Sequence, residues 1–76
     1  MTRLPRVSGK VVLSTLTRAG FKVVHVRGSH HYLRKEGTSK LVVVPVHGGS
    51  VIPPGTLKGI LKQAELSVRE FTDLLG

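Results

Sequence analysis

Apolar and polar positions along the chain change period twice, from helical spacing to strand-like runs and back to helical spacing. Val12, Leu13, Leu16 and Ala19 recur at i, i+1, i+4 and i+7, while Lys10, Ser14, Thr17 and Arg18 fall on the opposite side. That is the stripe of an amphipathic helix lying on a core. Ser8 can cap its first turn, because a serine oxygen satisfies one of the unpaired amides there. Gly20 stands where a left-handed terminator is wanted. The spacing predicts a helix over residues 8–19.

The period then shortens. Phe21 to Arg27 is a short β-branched run with strand character. Gly28-Ser29 is a two-residue turn signal, since glycine reaches positive φ at little cost. His30 to Lys35 forms the returning strand, Glu36 to Ser39 a second turn, and Lys40 to Val46 a third strand with an unbroken apolar run. Pro45 must lie where no ladder amide is needed. Within the second strand His30, Tyr32 and Arg34 share one face and His31, Leu33 and Lys35 the other. The single leucine turns the second of these faces toward the helices, unless Tyr32 is the core residue instead.

His47 to Pro54 is a loop by composition, and its prolines lead into a second helix. Leu57, Ile60, Leu61 and Ala64 make its apolar stripe, with Lys58 and Lys62 on the other side. Ser67-Val68-Arg69-Glu70 is a capping box for a short last helix, on which Val68, Phe71, Leu74 and Leu75 can bury one face. The expected fold is α+β: two layers in the order α-β-β-β-α, a three-stranded antiparallel sheet and a short extra C-terminal helix. Residues 1–76 read as one domain, with 1–7 as a short arm.

Composition sharpens this picture. A chain of 76 residues buries only about 60% of its unfolded surface, so two packed layers are all it can build. It has no cysteine, so neither disulfides nor thiolate metal sites are available, in keeping with a reducing cytoplasm. The leading residues lack a signal-peptide core and no apolar run is long enough for a membrane span. Twelve Lys/Arg against four Asp/Glu give a formal net charge of +8, spread along the whole chain rather than gathered in a tail. Such a surplus on a folded domain is the footprint of a nucleic-acid partner, although an acidic protein would also be drawn to it.

The chemistry gathers at Arg27-Gly28-Ser29-His30-His31-Tyr32, where two histidines and an aromatic stand between Arg27 and Arg34. Four local strings follow one another along residues 8–67: Ala19-Gly20-Phe21 after the first helix, this hairpin, Val42-Val43-Val44-Pro45-Val46-His47, and Gly55 to Ala64. In this order they resemble the HicA (YcfA-like) family of small bacterial toxins, messenger-RNA interferases with a double-stranded-RNA-binding-like fold. The resemblance implies that the histidine of the Gly-Ser-His string, here His30, is catalytic. Family members differ in the residues after the serine, and His31 occupies the other candidate position. A HicB-like antitoxin is the implied partner. The chain departs from the family at Lys35-Glu36-Gly37, where a histidine and a proline are common.

RNA carries its own nucleophile, the 2′-hydroxyl. A nuclease without metal needs only a base for that proton, a cation for the developing charge and a proton for the leaving oxygen. Imidazole suits proton transfer near neutrality. His30 would carry it, with His31 or His47 assisting, and Arg27 or Arg34 would hold the phosphate. Ser29 and Tyr32 complete an RNA-binding hairpin, to which the basic helix face of Lys58 and Lys62 would add phosphate contacts in the manner of duplex-RNA-binding folds. His25, mid-strand, reads as structural or surface. Adjacent histidines on opposite strand faces, with no carboxylate nearby, do not make a metal site, and no cofactor is expected. The alternatives are a non-catalytic RNA-binding module using the same hairpin and, more remotely, a docking domain for an acidic protein.

Overall fold

The computed structural model describes residues 3–75, so only Arg3 to Val7 of the arm are seen. Its elements are α1 (Gly9–Arg18), β1 (Phe21–Arg27), β2 (His30–Lys35), β3 (Leu41–Pro45), α2 (Pro54–Ala64) and α3 (Val68–Leu74). The strands form an antiparallel meander in the order β1-β2-β3. This is the expected α-β-β-β-α order with its extra helix. Among the described residues no helix is long and apolar enough to cross a membrane.

α1 and α3 begin where the sequence offers a partner for a loose backbone group. The Ser8 hydroxyl accepts from the Val11 amide at 3.4 Å, and Gly20 follows the last turn of α1 at φ +98°. Ser67 and Glu70 cap α3 reciprocally: the Glu70 amide donates to the Ser67 hydroxyl at 3.0 Å, and the Ser67 amide to the Glu70 carboxylate at 2.9 Å. The Ser67 amide bond, aided by the Ser67 hydroxyl and Lys35, holds the Glu70 carboxyl below its ordinary value.

The core lies between the helices and one face of the sheet. Val12 and Leu16 from α1, Leu57, Ile60, Leu61 and Ala64 from α2, and Phe71 from α3 pack with Phe21, Leu33, Val42 and Val44. Two further pieces close it. Val7, in the expected arm, is itself buried, and its carbonyl accepts from the Ile52 amide at 2.8 Å. Gly9 lets the start of α1 press onto the end of β3: a Cβ there would sit 2.5 Å from the Pro45 carbonyl oxygen. Any side chain at position 9 would force the helix off the sheet.

β2 confirms the alternation expected of it. Leu33 is fully buried and Arg34 exposed, with His30 exposed and Tyr32 half-buried on the Arg34 side. β1 does not alternate simply. The two-residue turn fixes Arg27 opposite His30, and Gly28 at φ +58° is the positive-φ residue a type II′ turn needs first. Counted back from Arg27 in strict alternation, Phe21 would fall on the open face. A bulge between Val23 and His25 inserts Val24 and restores Phe21 to the core.

The outer edge of β3 is closed off. The Val46 amide continues the ladder to the Ser29 carbonyl at 2.7 Å, which leaves the nitrogen of Pro45 facing outward, where it needs no hydrogen. The outward amide of Val43 is taken by Gln63 of α2 at 3.3 Å.

Candidate nucleic-acid interface

The sheet face turned away from the helices has three rows across its strands. Lys22 pairs with Arg34 and Arg34 with Leu41; His25 with Tyr32 and Tyr32 with Val43; Arg27 with His30 and His30 with Pro45. Lys22, His25, Arg27, His30, Arg34 and Leu41 are exposed, and Tyr32, Val43 and Pro45 half-buried. The β1–β2 half is therefore cationic and aromatic, and the β3 half is an apolar strip.

The acidic residues are kept out of the sheet. The four acidic residues are Glu36 in the turn after β2, Glu65 at the end of α2, and Glu70 and Asp73 in α3. None lies in a strand, and Glu65 pairs with Lys40 at 3.6 Å. On the open face Lys22 stands directly across from Arg34, and Arg27 across from His30. Like charges held opposite one another, as those of Lys22 and Arg34 are, destabilise a sheet. A face built that way, with no carboxylate to relieve it, is suited to an anion such as a nucleic-acid backbone.

The two hairpin histidines part company. His30 is exposed among Arg27, Tyr32 and Pro45. His31 lies on the helix-facing side, half-buried, paired with Val26 and Val44, with its Nδ1 3.4 Å from the Ser29 carbonyl. In the tautomer with Nδ1 protonated, that nitrogen donates to the carbonyl. Only one of the neighbouring imidazoles is thus presented to a ligand on the cationic face.

The remaining expected residues fall elsewhere. Ser29 is half-buried in the turn, where its carbonyl accepts the Val46 amide. His47 is exposed in the loop after β3, its carbonyl accepting from the Ser50 amide at 3.0 Å. Lys58 and Lys62 are exposed on α2, opposite its buried stripe, and so belong to the helical layer rather than to the face that bears His30. The structure does not bring these lysines to the hairpin histidine. Among the described residues, no three His, Cys, Asp or Glu gather in one place.

His25 is the residue that sequence reasoning set aside. It shares the open face with Arg27, two residues on, and the bulge at Val24 lets it do so while Phe21 stays in the core; its ring lies 5.4 Å from that of Tyr32, tilted by 49°. The signal was present: Phe21 and Arg27 have the same parity in one strand, yet one belongs in a core and the other in water. Only an inserted residue reconciles them.

Compared with known proteins, the chain matches the model of the family described as HicA toxin of bacterial toxin-antitoxin over residues 9–66. That span runs from the first residue of α1 through α2 and includes the whole sheet. No curated protein matches the chain.

Proposed function

The chain belongs to the HicA toxin family of bacterial toxin–antitoxin systems, and we propose that it acts by cutting RNA on the open face of its sheet. The observation that carries this reading is the exposed His30 directly across from Arg27 on a strand face without acidic residues. In the proposed reaction the 2′-hydroxyl of a ribose attacks the adjacent phosphorus. One proton leaves that hydroxyl, the bond to the 5′-oxygen breaks, and one proton reaches the leaving oxygen. His30 handles one of these transfers, and water the other. Positioned acid–base help of this kind contributes about 10² to 10⁴-fold.

Arg27 supplies charge-assisted donors to the phosphate as negative charge builds. Lys22 and Arg34, one row beyond the His25–Tyr32 pair, hold the backbone further along. The messenger RNA runs over the sheet, away from Lys58 and Lys62, and no metal takes part. A HicB-like antitoxin silences the toxin by occupying the same face. Its acidic groups would replace phosphates there.

Cleavage of an RNA by the purified protein in the presence of EDTA tests this. The expected products carry 2′,3′-cyclic phosphate and 5′-hydroxyl ends, because the nucleophile comes from the RNA itself. No cleavage by the free protein, or products with 5′-phosphate ends, would contradict the proposal.

A further inference from the structure

The open face holds one feature that proton transfer and phosphate binding leave unused. His25 and Tyr32 stand across from each other on β1 and β2 with ring centroids 5.4 Å apart. They fill the row between Lys22–Arg34 and Arg27–His30, each of which holds at least one Lys or Arg. We infer that His25 and Tyr32 form a stacking floor for an unpaired nucleobase next to His30, so that the face takes single-stranded rather than duplex RNA. This rests on reading the open face as the RNA face.

Three observations support the assignment. The first is accessibility: His25 is exposed and Tyr32 half-buried, so ring surface is open to a ligand. The second is position. Successive residues on one strand face are about 6.7 Å apart, so a base resting on the middle row has a cation within reach on either side along the strands. The third is construction. The Val24 bulge is what allows His25 to face outward while Phe21 stays in the core. Bulges are over-represented beside functional surfaces.

Chemistry then chooses between the forms of RNA. In a duplex the base faces are covered by their neighbours, and only edges, hydroxyls and phosphates are offered to a protein. A ring platform is useless to such a ligand. In a single strand, bases can leave the stack and lie on aromatic side chains while phosphates run along a positive groove. Val43, on the far side of Tyr32, extends the floor with apolar surface. The base so held sets its own phosphate against Arg27 and His30.

The test uses 2′-O-methyl RNA, which has no free nucleophile and is not cut. A short single strand should bind more tightly than the same sequence as a duplex. His25→Ala should weaken single-strand binding about fivefold or more, and Tyr32→Leu about tenfold. His25→Phe, which keeps a ring but loses the imidazole, should retain the wild-type affinity. Tyr32 is the only tyrosine in the chain, so its ring-proton signals identify themselves, and the single strand should move them upfield. Unchanged affinity in His25→Ala, equal losses in His25→Ala and His25→Phe, or a preference for duplex would overturn the inference, with the RNA face itself intact. If the wild-type protein binds no RNA at low salt, the proposed function falls as well.

Discussion

The two faces of β2 are built from alternate residues of one six-residue strand, yet they serve different ends. His31, Leu33 and Lys35 face the helices, with Leu33 sealed between Val23 and Val42. His30, Tyr32 and Arg34 face outward beside Arg27, His25 and Lys22. One face carries stability and tolerates little change. The other sets Lys22 directly across from Arg34, an arrangement that disfavours the sheet and suits an anionic ligand. Neighbouring histidines therefore face opposite ways, because the side-chain period of a strand is two.

The largest effect expected on this contrast comes from the inner face. Leu33→Ala should lower the unfolding free energy by about 2–5 kcal/mol, read from urea denaturation. Next comes deletion of Val24, which removes the bulge. The six residues left in β1 then alternate regularly from Phe21 to Arg27 and keep their partners on β2, so Phe21 stays in the core and His25 on the open face. The loss should be no more than about 1 kcal/mol in urea denaturation. A loss as large as that of Leu33→Ala would show that Val24 is not the inserted residue that reconciles the two faces.

On the outer face the expected effect moves from stability to binding. Lys22→Gln and Arg34→Gln should each reduce the salt slope of RNA binding by about one unit. Stability should move by less than about 0.5 kcal/mol, since both side chains are exposed and no acid partners them across the strands. A large fall in stability without a change in salt slope would show that these cations hold the fold rather than a ligand.

The smallest effect lies off both faces, at the start of α3. The folded-state pKa of Glu70 is lowered, chiefly by the Ser67 amide. Its contribution is therefore present above the ordinary carboxylate value and disappears as pH falls through the lower, folded-state value. The protection of the Ser67 amide, taken as its exchange rate relative to the intrinsic rate at each pH, should fall on acidification in the wild type. In Glu70→Gln that change in protection should be absent.

Much of this was legible in the residues. The caps at Ser8 and Ser67 are local chemistry, and a lone leucine among polar residues sufficed to orient β2. The family assignment, carried by short strings in a fixed order, agrees with the match over residues 9–66. Two features escaped because they depend on the third dimension. A bulge leaves no composition signal of its own, so His25 read as structural or surface without a face assigned to it, although the shared parity of Phe21 and Arg27 pointed to the open one. Lys58 and Lys62 read as partners of the hairpin. Which way the polar side of α2 points depends on how that helix seats against the sheet, and spacing alone does not contain that.

The central claim is that His30, and not His31, transfers a proton in RNA cleavage. Its most direct test is to compare cleavage rates of His30→Ala and His31→Ala on one RNA, with unfolding midpoints measured beside them. The account predicts that His30→Ala cuts about 10²-fold more slowly or worse while its stability and RNA affinity stay near wild type. His31→Ala should lose stability and keep its chemistry in the folded fraction. Full cleavage by His30→Ala, or loss of cleavage in a folded His31→Ala alone, would contradict it.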